Sequence, residues 1–136
     1  MTAPGGCTCG GTGAVILACS GAADVGELAD QTARLLARDG YGSMSCLAGV
    51  GAGLEGMIKS AREAAPLLVI DGCPTACGKK AVEGAGITGF QYLMLTNVGF
   101  RKGATPMDEG TVKMAVAKAR EILGNPGPAV GGCCGS

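Results

Sequence analysis

The stretch Leu67-Leu68-Val69-Ile70-Asp71-Gly72-Cys73-Pro74-Thr75-Ala76-Cys77-Gly78 constrains the fold of this chain more than any other. Its first four residues are apolar and stop abruptly at Asp71-Gly72, the pattern of a buried strand reaching its carboxyl end. Cys73 then falls where a helix N-cap is expected, with Pro74 at the first helical position. A helix starting there puts Cys77 one turn above the strand tip. The free N–H groups and the dipole of a helix N-terminus favour thiolate over thiol. Two sulfurs are thereby readied for nucleophilic attack or metal ligation at the lip of a sheet.

The same strand-then-helix pattern recurs along the chain. Ala14-Val15-Ile16-Leu17-Ala18 reads as a buried strand that ends at Cys19-Ser20-Gly21. Asp24 is expected to cap the next helix, with Glu27 completing a capping box. Val25, Leu28, Ala29, Thr32, Leu35 and Leu36 then recur at helical spacing to Arg38. Residues 41–46 read as a weaker strand with Cys46 near its end, and a helix follows from Met57 to Ala64. Lys79 to Glu83 forms a short helix, and residues 91–95 a fourth strand. Asp108 opens the last helix, whose apolar face carries Val112, Ala115, Val116, Ala119, Ile122 and Leu123.

This alternation predicts an α/β fold: a small three-layer arrangement with a mostly parallel sheet of about four strands flanked by helices. One domain is expected over residues 13–124. Residues 1–12, with Cys7 and Cys9, and residues 125–136, with Cys133 and Cys134, read as flexible Cys-containing tails.

Open parallel sheets bind ligands beyond the carboxyl ends of their strands. Cys19, Cys46, Cys73 and Cys77 all fall at such ends, on three separate strands. The chain has eight cysteines and no histidine, which excludes Cys-His catalysis and any His-containing zinc set. A metal site here is thiolate-rich. Four thiolates suit one Zn²⁺ in a closed tetrahedron, and an iron–sulfur cluster is the alternative tenant. A second chemistry is thiol redox, with Cys73 attacking and Cys77 resolving. No catalytic residue is assigned, and a metal-dependent hydrolase is disfavoured because four thiolates leave no position for water. Asp71 reads first as a turn residue, with a metal ligand or an outer-shell acceptor as the alternatives. Lys79 would offset the negative charge of a thiolate cluster. Cys7, Cys9, Cys133 and Cys134 are candidate accessory thiols, the last two within reach of the core site.

Zero formal net charge and only two Phe, two Tyr and no Trp argue against nucleic acid or an anionic membrane surface as partner. No apolar run approaches the roughly 20 residues of a membrane span, and no signal peptide opens the chain. The expected setting is cytoplasmic, the expected partner is a metal ion, and no protein partner is identified. One competing motif stands out. Gly51-x-Gly53-x-x-Gly56 matches a dinucleotide fingerprint, with Asp71 twenty residues after Gly51.

Three segments occurring in order, Ala18-Cys19-Ser20-Gly21, Met44-Ser45-Cys46-Leu47-Ala48-Gly49 and Asp71-Gly72-Cys73, resemble the DGC-domain family of proposed zinc-binding proteins. The resemblance runs from about residue 14 to about residue 122. It implies that Cys19, Cys46, Cys73 and Cys77 are the chelating set and zinc the metal.

Overall fold

The structure, a computed structural model, describes residues 13–124. Its strands are Val15–Ala18 (β1), Ser43–Met44 (β2), Leu67–Asp71 (β3) and Gln91–Met94 (β4). They pair in the order β2-β1-β3-β4, and every pair is parallel. The helices are Asp24–Arg38 (α1), Leu47–Gly51 (α2), Glu55–Glu63 (α3), Cys77–Gly84 (α4) and Glu109–Leu123 (α5). A 3₁₀ turn, Leu95–Val98, follows β4.

Successive strand residues point to opposite faces, so each strand feeds both layers. Ile16, Ala18, Leu68 and Ile70 face α1 and α5, with Leu28, Leu36, Ala115 and Ala119 above them. Leu17, Leu67 and Val69 face the other way, against Val50, Ala61 and Val82 of the three shorter helices. Strand β3 lies between β1 and β4 and is buried throughout, which explains its unbroken apolar run. Each fully buried Leu or Ile of this kind stabilises the fold by ~2 kcal/mol.

Helix α5 starts as expected, with the Asp108 carboxylate accepting from Thr111 N at 2.8 Å. Three other elements differ from the sequence reading. Helix α1 has Ala23 as its N-cap and Asp24 as its first residue, and no capping box forms. The Asp24 carboxylate instead accepts from Gly103 and Thr105, far along the chain. The strand expected over 41–46 shrinks to Ser43–Met44, because as an edge strand it pairs only with Val15 and Ile16. Helix α4 begins at Cys77, not at Pro74; residues 73–76 form a turn in which Ala76 N donates to Cys73 O at 3.0 Å.

The region of the glycine fingerprint is also corrected. It holds two helices rather than one, joined by a turn in which Gly53 has φ +80°. Gly51 ends α2 and Gly56 lies within α3. A dinucleotide site needs these glycines between a strand and a helix, and here they connect helix to helix. Among the described residues, no helix is long and apolar enough to cross a membrane.

Candidate functional site

Asp71 organises the rim of the sheet. It ends β3, is 1% exposed, and carries three hydrogen bonds. Its Oδ1 accepts from Gly78 N at 2.8 Å, and its Oδ2 accepts from Lys79 N at 3.0 Å and Tyr92 Oη at 2.7 Å. The carboxylate thus caps α4 from seven residues upstream and ties it to β4. Gly78 makes this approach feasible: a Cβ there would lie 2.7 Å from Asp71 Oδ1 and 2.9 Å from Val69 Cγ1. The Tyr92 hydroxyl is held far above its ordinary pKa, first by burial and then by its bond to Asp71, so it stays a donor.

Gly72 has a second steric task. A Cβ on it would meet the Val25 carbonyl carbon and oxygen at 2.6 Å, so β3 and the first turn of α1 can touch only through glycine. The Gly72 N–H also faces the Cys19 sulfur. Asp, Gly and Cys in succession therefore do three jobs: cap the next helix, admit the neighbouring backbone, and present a thiol.

Cys19 continues β1, with its N–H donating to Ile70 O at 3.0 Å. The next residue, Ser20, adopts φ 51°, a left-handed backbone uncommon outside glycine. Its hydroxyl donates to Asp30 Oδ1 at 2.8 Å, which helps hold the turn. Burial pushes the Cys19 thiol up, and the charges of Asp71 and Cys77 add to this; N–H groups of Gly21 and Gly72 oppose it. Cys73 shifts the other way. The Thr75 hydroxyl, 3.5 Å from its sulfur, and the Thr75 N–H lower its pKa, and Lys102 Nζ at 3.7 Å adds to the effect. Cys77 opens α4 and is exposed; Ala76 before it is left-handed at φ 55°.

Cys19, Asp71, Cys73 and Cys77 thus share one neighbourhood. Cys46 stands at the end of β2 as the N-cap of α2, exposed, at the outer margin of the same rim. The order β2-β1-β3 puts the ends that carry Cys46, Cys19 and Cys73 on adjacent strands, spaced ~4.8 Å apart along the sheet. The donor chemistry suits a soft metal. The side chains as placed do not surround one: among the described residues, no group of three or more Cys, Asp or Glu could hold a metal ion. Cys7, Cys9, Cys133 and Cys134 lie outside the described residues.

The cation beside the sulfurs is not the one expected. Lys79 Nζ sits 5.7 Å from the Tyr92 ring centroid, while Lys102 approaches Cys73. Lys102 arrives on a loop turned around Thr105, whose hydroxyl donates to Arg101 O at 2.6 Å and accepts from Arg101 N at 3.0 Å. Asp24 pins this loop through Gly103 N at 2.8 Å and Thr105 N at 3.0 Å, and these bonds hold its carboxyl below the ordinary range. Sequence reasoning missed Tyr92 and this use of Asp24. The register that sets Val69 beside Tyr92, on the strand next to Asp71, is the signal for the first.

The family model for the DGC domain matches residues 15–119. Among curated proteins, the Anaerobic and virulence modulator AnvM of Pseudomonas aeruginosa is 35% identical over 88 residues, which cover 65% of this chain and 67% of that protein. No solved structure matches the chain. The match spans every strand and reaches into the last helix, and so takes in the whole rim: the chain belongs to the DGC-domain family.

Proposed function

We propose that the rim binds a soft metal ion, zinc first, through the thiolates of Cys19, Cys46, Cys73 and Cys77. The observation that carries this reading is the strand order, which lines up three cysteine-bearing carboxyl ends side by side. Backbone N–H groups of Gly21 and Gly72 facing the Cys19 sulfur, and of Thr75 facing Cys73, suit anionic sulfur. Cys46 and Cys77 are exposed, so their side chains can turn toward a common ion without unpacking the core. A reducing cytoplasm is the setting that keeps such thiols free.

Metal analysis of the full chain and of Cys19→Ser, Cys46→Ser, Cys73→Ser and Cys77→Ser tests this. Each variant should lose one bound ion. Undiminished metal in all four would sink the reading. A coloured protein containing iron would replace zinc with an iron–sulfur cluster.

A second reading rests on the surroundings of Cys73. With Thr75 and Lys102 beside it, Cys73 is suited to act as a nucleophilic thiol, and Cys77 is the sulfur to resolve it. It would give the chain a response to oxidants, in keeping with a relative named as an anaerobic modulator. In the metal-free protein at neutral pH, iodoacetamide should label Cys73 well before Cys19. Equal rates would remove this reading.

A further inference from the structure

Beyond β4 the chain makes a loop whose backbone is held at many points. Phe100 N donates to Leu95 O at 3.2 Å, and Ala104 N to Arg101 O at 3.1 Å. The Thr105 hydroxyl accepts from Arg101 N and donates to Arg101 O, so one side chain fixes both backbone groups of Arg101. Asp24 holds Gly103 N and Thr105 N from α1. A loop constrained in this way is preorganised, and a ligand on it pays little ordering entropy.

Between this loop and the first turns of α5 lies an open cavity of about 280 Å³, close to the lower end of the range for small-molecule sites. Val98, Phe100, Pro106 and Met114 give it an apolar lining. Phe100 belongs to the main core, whereas Met114 is 62% exposed, a large apolar side chain on a helix surface that is ordinarily polar. The one charged lining residue is Arg101. Its neighbour Lys102 turns to Cys73 instead. Among the described residues the ion pairs are Arg34–Asp30 and Lys113–Glu109, and neither engages Arg101. The carboxylate of Asp108 accepts from Thr111 N, at the start of its own helix.

We propose that this cavity is a second ligand site and that it takes a medium-chain aliphatic carboxylate. The chain would lie against Val98, Phe100, Pro106 and Met114, and the carboxylate would meet the Arg101 guanidinium, whose paired N–H groups match two oxygens. The unbranched thioether of Met114 adapts to a flexible chain. Apolar contact supplies most of the affinity, and the single cation selects an acid over a neutral molecule of the same length. The site uses none of the rim cysteines, so it stands apart from the metal reading. Thr105 lines the cavity and also donates its N–H to Asp24, so an occupant would steady the loop as a whole.

The test titrates the full ¹⁵N-labelled chain with octanoate, and with octanol as the uncharged counterpart, reading amide shifts. Octanoate should give saturable shifts confined to residues 98–106 and the neighbourhood of Thr111 and Met114, and hydrogen exchange at the Gly103 and Thr105 amides should slow. Arg101→Gln should weaken octanoate at least about tenfold and leave octanol unchanged. Met114→Ser should weaken both by several-fold. Arg101 and Met114 are both exposed, so neither change threatens the fold. Shifts that never saturate or that scatter over the surface would overturn the site. Equal affinity for octanoate and octanol would overturn its choice of a carboxylate. Self-association of the chain through these same residues would give the cavity to a second copy and overturn it as well.

Discussion

Asp71 and Asp24 each extend a carboxylate across the chain to backbone N–H groups of another segment, yet Asp71 is 1% exposed and Asp24 borders solvent. Asp71 fixes α4, and with it Cys77, against β3 and β4. Asp24 fixes the loop that brings Lys102 to Cys73. The first is part of the fold. The second is an adjustment made from outside it. The same chemistry therefore sets the position of one sulfur and the electrostatics of another, and burial decides which effect spreads through the molecule.

The comparison breaks most visibly at Asp71. Asp71→Ala takes the acceptor from the buried Gly78 N–H and from the half-buried Lys79 N–H and Tyr92 hydroxyl, and the expected loss of stability is about 3 kcal/mol. Urea unfolding measures it; a loss under about 1 kcal/mol would mean that the carboxylate is not holding α4. Gly78→Ala comes next and tests the same contact by sign. In an ordinary helix this change gains up to ~1 kcal/mol. Here the added methyl meets Asp71 and Val69 below 3 Å, and a loss of about 1–3 kcal/mol is expected. A more stable Gly78→Ala protein would show that the cap has slack.

Asp24 supplies the smallest effect. Asp24→Asn should leave the unfolding midpoint nearly unchanged while hydrogen exchange quickens at the Gly103 and Thr105 amides. Acid should act in the same way. The folded carboxyl titrates below its ordinary value of 3.8, so the loop's protection is full above that value and is lost as pH falls through the lower one. Protection already lost at pH 5 would contradict the depressed carboxyl. Equal global destabilisation by Asp24→Asn and Asp71→Ala would erase the distinction between the two clamps.

Much of this was legible in the residues. The apolar spacing of α1 and α5 and the unbroken run of β3 follow from burial on one face and on two. The strand-end positions of Cys19, Cys46 and Cys73 followed once the strands were placed. The start of α4 did not, because its cap is the side chain of Asp71 and not a residue at the helix end. Lys102 and Tyr92 were hidden for a related reason. Their partners are set by strand register and by a loop folded onto another helix, and local sequence encodes neither. The split of α2 from α3 turns on the left-handed Gly53, in a segment rich enough in glycine to suit several breaks.

The narrowness of β2 has a mechanical consequence. Only Ser43 and Met44 register it to the sheet, through Val15 and Ile16. Fraying at this margin would carry Cys46 outward while β1, β3 and β4 keep their pairing. The rim then behaves as a jaw, with Cys19, Cys73 and Cys77 on its fixed side and Cys46 on the moving one.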